Sequence, residues 1–369
     1  MTQKSYVDDN PKYWAGYTNL QRVKHKLIRE YLNGWLPKLG YWAGRIVYID
    51  THAGRGKHDQ GELGSPLVAL DTFLEHNHLK QILKRSEVVF WFIERDEENL
   101  KSLNKEIAKR GDLPLGMKVH SQSGNCFPIL RKLIESLQAE GSQLAPAFIF
   151  VDPYGFGVPG SVLRELMQFQ RVELFFNVIW RELNMALVQG NTNLGMANSL
   201  DSIFNGPHWR HKITSNDIDL RVGQTIDTFK EMLGAKWVTP IHMLGNNEKT
   251  RYVLAHFTNH NHGRDLMKDC VWKVCPDGKF RVRKFDNPHQ LMLFSEGPDW
   301  NSLNQWVCEQ LHERPHRWKE FHELVRPLIW RVPHVNKAIS GLRKNKVILA
   351  SEYEGRCTPN ANPQLSLVQ

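Results

Sequence analysis

Apolar positions along this chain alternate between a helical period and short continuous runs, and that alternation predicts an α/β fold. Over residues 19–36, Leu20, Val23, Leu27, Ile28, Tyr31, Leu32 and Trp35 fall on one helical face. A first buried strand is expected over 45–50, then a helix capped by Ser65 with Pro66 at its first position. Residues 88–94 read as the second strand, and Glu97 to Arg110 as a helix stopped by Gly111. A short third strand covers Met117 to Ser121, and another helix runs from Pro128 to Gln138. Strand four is Ala147–Val151 and strand five Val172–Val178. Strands alternating with helices imply a parallel, doubly wound sheet.

Beyond strand five the pattern changes. Residues 181–234 read as polar helices inserted after that strand. Lys236 to Leu244 and Arg251 to Thr258 read as a closing strand pair joined by a turn at 245–248, with Asp265 to Lys273 as a helical return. Composition shifts near Asp286-Asn287-Pro288, dividing the chain into a domain of 1–285 and a smaller one of 286–369. In the smaller domain, helices are expected at Ser302–His312, near Trp318–Val325, and from Pro333 to about Lys344. A strand from Lys346 to Tyr353 then enters a hairpin at Glu354-Gly355, which is the order of a winged helix-turn-helix. The tail beyond Thr358 is expected to fray.

Composition narrows the classes. The chain has 369 residues, 41% hydrophobic and 24% charged, which suits a globular protein. No apolar stretch approaches a membrane span, and the first nine residues hold no apolar signal core. Five scattered cysteines, an odd number, argue against a disulfide framework and for a reducing cytoplasm. His256, His260 and His262 lack a carboxylate or cysteine at ligand spacing, so no metal is expected. Lys and Arg exceed Asp and Glu by 48 to 39, a net +9 that favours a polyanionic partner, nucleic acid first.

The candidate chemistry sits at strand ends. Strand one ends in Asp50, followed by Thr51-His52-Ala53-Gly54-Arg55-Gly56. In doubly wound sheets a ligand lies outside the carboxyl ends of the strands, where glycines let the backbone approach it. Asp50, Ala53, Gly54 and Gly56 are therefore the candidate cofactor loop, and Arg55, Lys57 and His58 make it basic. The loop lacks the third glycine of a dinucleotide fingerprint, so it suits S-adenosylmethionine (SAM) better, and its spacing excludes a phosphate P-loop. Glu94, ending strand two, is the candidate acceptor for ribose hydroxyls. Asn125 falls where an adenine amine would be contacted. Asp152-Pro153-Tyr154-Gly155-Phe156 ends strand four in the manner of methyltransferases acting on base amino groups. There the acid accepts from the target amine and an aromatic ring stacks on the extruded base. Asp152 is the candidate acceptor, with Tyr154 or Phe156 as the ring.

Arg331, Lys337, Arg343, Lys344 and Lys346 form a basic run without an acid among them. On the third helix of a winged domain, such residues would meet phosphates and bases.

Taken in order, Tyr48 to Gly56, Gly64 to Leu70, Phe150 to Gly155, Tyr252 to Leu254 and Gly263 to Lys268 resemble the three-Cys-motif partner (TcmP) proteins of bacteria and phages. The resemblance covers most of the chain. It implies a SAM-methyltransferase-like domain with a C-terminal winged helix. It also implies a partner carrying a three-cysteine, radical-SAM-like motif, which this chain's own cysteines do not form. Thr51-His52 stands where related sequences commonly carry Phe. Two functions remain open: a SAM-dependent methyltransferase acting on an exocyclic base amine, and a non-catalytic methyltransferase-like protein that binds nucleic acid or that partner.

Overall fold

The apolar runs form the strands expected of them in the computed structural model, which describes residues 14–245, 247–284, 297–351 and 353–368. Asn246, Glu352, the first nine residues and the composition change at 286–288 lie outside the described residues. The strands of the first unit are β1 (Arg45–Asp50), β2 (Glu87–Glu94), β3 (Met117–Ser123), β4 (Ala147–Val151), β5 (Val172–Val178), β6 (Trp237–Leu244), β7 (Thr250–Thr258) and β8 (Arg281–Arg283). They form one eight-stranded sheet in the order β3-β2-β1-β4-β5-β7-β6-β8. β1 to β5 run parallel, whereas β7 is antiparallel to both β5 and β6. The order reverses beside β1, which places a topological switch point between β1 and β4.

Helix α1 (Asn19–Gly40) begins at a capping box made by Thr18 and Gln21. It precedes α2 (Ser65–Leu74), α3 (Leu79–Leu83), α4 (Glu97–Ala108), α5 (Cys126–Ala139) and α6 (Gly160–Gln168). Ser65 was the expected cap of α2, but Gly64 holds that position and Ser65 is buried inside the helix. The insertion is helical as expected: α7 (Trp180–Gln189), α8 (Leu194–Ile203), α9 (Trp209–Lys212) and α10 (Ile218–Leu233).

Strand alternation sorts the core into two faces. Ile49, Ile149, Val151 and Phe176 share one apolar cluster with Leu130, Leu163 and Phe229. Tyr48, Phe148, Phe150 and Phe175 alternate to the opposite face, where Tyr31 of α1 stacks on Phe148 with ring centroids 4.9 Å apart. Tyr31 also donates to Glu173, which accepts from His256 Nε2 at 2.8 Å, so the buried Glu173 carboxylate is paired on that face while His256 Nδ1 is left without a partner.

The second unit is Arg264–Phe280 with Pro288–Gln369. Residues 264–280, which hold most of helix α11 (Asn261–Val274), belong to it in addition to the stretch beyond the expected division near 285. The cause is a set of side-chain to backbone bonds. Lys268 Nζ donates to the carbonyls of Val325, Arg326, Leu328 and Trp330, and the Trp272 indole to that of Ile329. Burial pulls the Lys268 ammonium down to about 7. The remaining elements are α12 (Trp300–Glu313), β9 (His316–Arg317), α13 (Glu320–Leu324), α14 (Val332–Lys344), β10 (Ile348–Ala350) and β11 (Gln364–Leu367). The tail does not fray: β11 lies between β10 and β9, and Leu365 is fully buried. A short run holding one buried leucine carries too little periodicity to announce a central strand.

Candidate functional site at the strand ends

Three polar groups meet where β1, β4 and β5 end. Residue 50 pairs with Phe150, and Val151 with Phe176, so Asp152 and Asn177 follow on neighbouring strands. Period-two alternation brings Asp50, Asp152 and Asn177 to the face covered by α1. Asn177 Nδ2 donates to Asp152 Oδ1 at 2.5 Å, and Lys24 Nζ, from α1, donates to Asp152 Oδ2. Lys24 is only 5% exposed and also lies 5.7 Å from the Phe150 ring. Burial pushes the Asp152 carboxyl up, but Lys24 and Asn177 outweigh it and hold the group below the usual carboxylate range.

Asp50 has the opposite balance. It is fully buried, and burial with the nearby Asp152 charge raises it to about 7. Its Oδ1 accepts from His52 N at 3.2 Å. Its Oδ2 meets no donor in hydrogen-bond geometry, although the Ser65 hydroxyl is near enough to lower the pKa. The amide oxygen of Asn177 is likewise buried without a partner. His52 is neutral at physiological pH, since burial depresses it to about 4. The Thr51 hydroxyl donates to Phe150 O at 3.0 Å, so the 2.8 Å contact with His52 Nδ1 requires that nitrogen to carry the proton. His52 Nε2 then faces the Cys126 thiol at 3.7 Å, whose own pKa burial pushes up to about 12.

The glycine loop is held by the second strand-end acid. Glu94 accepts from Gly54 N at 2.6 Å and from Asp96 N at 2.8 Å. Gly54 (φ +65°) and Gly56 (φ +86°) occupy left-handed conformations that favour glycine. A Cβ on Gly54 would stand 2.7 Å from the Trp14 ring, because the segment before α1 lies against this loop. Asp59 N donates to Trp14 O at 3.0 Å, and the Arg55 guanidinium stacks over Trp14 at 4.6 Å. Ala53 is buried and its N–H donates to Ile93 O at 3.0 Å, tying the loop to β2. Asn125 caps α5, accepting from Phe127 N at 3.2 Å, and is exposed.

The two candidate rings separate. Tyr154 is 54% exposed, whereas Phe156 packs partly buried on the apolar cluster below. Gly155 between them turns with φ +82° beside the Glu182 carboxylate. A base could reach Tyr154 as the chain stands; reaching Phe156 would require unpacking it.

The basic run also divides. Arg331 is occupied by Asp269 at 3.2 Å and by His334, and Arg343 donates to Tyr353 O and Gly355 O at 3.0 and 2.8 Å. Both guanidiniums serve the second unit's own structure. Lys337 is exposed beside the Trp300 ring at 4.5 Å, and Lys344 and Lys346 are exposed at the end of α14.

Lys24, Asn177, His52 and Trp14 were missed as site residues in the sequence. Lys24 carried a signal, for it lies four residues after Leu20 and before Ile28, on the apolar stripe of α1. Asn177 carried a weaker one, an amide within the run Leu174-Phe175-Phe176-Asn177-Val178.

No family model matches this chain. No curated protein matches it either. Solved structures align along much of its length at low identity. Trm1 of Pyrococcus horikoshii, solved with S-adenosyl-L-methionine, shares 12% identity over 99% of this chain and 93% of its own, with a TM-score of 0.40. A Legionella pneumophila protein shares 12% over 68% and 90%, with a TM-score of 0.37. A Podospora anserina methyltransferase, solved with SAH, shares 10% over 70% and 97%, with a TM-score of 0.25. Each score lies below 0.5, so the fold rests on the strand order above and the site on its own residues.

Proposed function

We propose that this chain is a SAM-dependent methyltransferase acting on an exocyclic amine of a nucleic-acid base, working beside a three-Cys-motif, radical-SAM-like partner. The observation that carries this is the set of hydrogen-bond acceptors at the ends of β1, β4 and β5, next to a glycine loop at the switch point. The antiparallel β7 between β5 and β6 supports a methyltransferase-type sheet over a dinucleotide-binding one.

The residues present fit the cofactor. Asp50 offers a buried oxygen whose only near hydroxyl is that of Ser65, and Gly54 and Gly56 give the loop its left-handed turns, with Trp14 and Leu103 lying against them. Asp50 would hold the amino group, the loop from Ala53 to Gly56 would pass beneath the ligand, and Asn125 would lie near the adenine. Glu94 would receive the ribose on lone pairs left over from its bonds to the loop. SAM supplies an electrophilic methyl group. Asp152 would accept from the target amine and align its lone pair, with Tyr154 stacked on the base, so that the rate comes from alignment.

The helix–strand–helix–helix–strand–strand order of the second unit supports a winged helix-turn-helix, with Lys337, Lys344 and Lys346 available to phosphates. A non-catalytic binding role is favoured by a different observation. Both oxygens of Glu94, and both of Asp152, already accept from the protein's own donors.

Transfer of labelled methyl from SAM to mixed DNA and RNA, with and without the partner, separates the two. Wild type should label nucleic acid and D152A should not. SAM binding without transfer to any substrate would favour the binding role.

A further inference from the structure

We propose that Lys24 is a positioning residue for the amine acceptor, locking Asp152 between the first helix and β5 so that it meets substrate as a fixed, charged acceptor. The inference rests on the methyltransferase function proposed above and extends it to a residue on α1. Asp152 stands one residue beyond β4, where no ladder bond restrains it. Its carboxylate is fixed instead by two donors from different elements, one on each oxygen: Lys24 Nζ from α1 and Asn177 Nδ2 from β5. A carboxylate oxygen has about two lone-pair sites, so each oxygen retains one for a substrate amine. The second donor is itself oriented by the first arrangement. An ionised acceptor demands the NH₂ end of Asn177, which turns the amide oxygen away from Asp152, where it is buried without a partner. Lys24 therefore governs the presentation of two acceptors while occupying a position among Leu20, Leu27 and Ile28 that packing alone would fill with an apolar side chain.

The charges around Asp152 make the role specific to Lys24. Asp50 and Tyr48 from β1, His52 from the loop and Asn177 from β5 complete its polar surroundings. The Asp152 charge raises Asp50, which is neutral where Asp152 titrates, while His52, protonated only below about 4, lowers Asp152 after Lys24 and Asn177. Among these groups Lys24 is the permanent cation, so its removal should leave Asp152 facing burial with the Asn177 amide as its remaining donor. An opposite charge at this range typically lowers a carboxyl by roughly 1–3 pH units.

The test is a carbon NMR titration of the aspartate carboxyl groups in the full chain, with Asp152 assigned by difference against D152N. It compares wild type with K24M, which removes the donor, and K24Q, which keeps a neutral donor and removes only the charge. Wild-type Asp152 should titrate below the ordinary carboxylate range, and in folded K24M or K24Q its midpoint should rise by about one unit or more. The acidic limb of the methyl-transfer pH profile should rise with it. An ordinary or raised midpoint in wild type would overturn the proposal even if neither variant folds, as would an unmoved midpoint in a folded variant. Absence of transfer in wild type would count against the methyltransferase function, while the titration would still decide what Lys24 does to Asp152.

Discussion

Two aspartates at the ends of adjacent strands, Asp50 fully buried and Asp152 partly so, are shifted in opposite directions by what each one touches. Asp152 has Lys24 and Asn177; Asp50 has a backbone N–H and an oxygen with no donor. The sign for Asp50 follows from its raised folded value of about 7. Between its unfolded value, about 4, and that folded value the native chain holds a proton that the unfolded chain releases. Stability should therefore fall as pH rises through this window. D50N, neutral and nearly isosteric, should flatten that part of the curve in thermal unfolding followed from pH 4 to 8. A ligand ammonium at Asp50 would favour the ionised form, so SAM affinity in wild type should strengthen as pH rises through 7, and D50N should lose that dependence. The rings predict a second contrast. Y154A should cut methyl transfer by at least tenfold with little change in melting temperature. F156A should lower the melting temperature, because it removes a ring packed on the core. Equal stability losses in the two variants would mean that Tyr154 serves the fold as Phe156 does.

Elements were legible in proportion to how much of the core they own. β1, β4 and β5 are apolar runs buried almost end to end, and their limits follow from the residues alone. β11 and the assignment of α11 to the second unit were not legible. The first carries one buried leucine, and the second depends on Lys268 and Arg264 reaching backbone carbonyls some 60 residues away in sequence. The candidate site divides the same way. Glycine and acid at strand ends announce themselves by position, but Lys24 reaches Asp152 across 128 residues. In the loop, Glu94 bonds two backbone N–H groups, each charge-assisted bond worth roughly 1.5–3 kcal/mol. E94A should therefore lower stability in denaturant unfolding as well as SAM affinity, and E94Q should recover part of both; a stability equal to wild type in E94A would mean the loop does not depend on it. In the second unit, R343A should destabilise the turn at 353–357 that its guanidinium holds. Lys337, Lys344 and Lys346 to Ala should instead weaken nucleic-acid binding and reduce its salt slope without lowering the melting temperature. An unchanged slope in that triple variant would assign α14 to protein binding.

At the scale of the molecule, an eight-stranded sheet brings acidic strand ends, a glycine loop and a buried lysine to one edge. A second unit follows, with three exposed lysines on or just after α14. The net charge of +9 suits a polyanionic substrate. Among the described residues no helix is long and apolar enough to cross a membrane. Cofactor binding at the ends of β1 and β2 is the claim from which the rest follows. It is tested most directly by isothermal calorimetry of the folded wild-type chain with SAM and with S-adenosylhomocysteine. One-to-one binding of both is predicted, weakened in D50N and E94A. No heat with either ligand, from protein shown to be folded by its unfolding transition, would contradict the account.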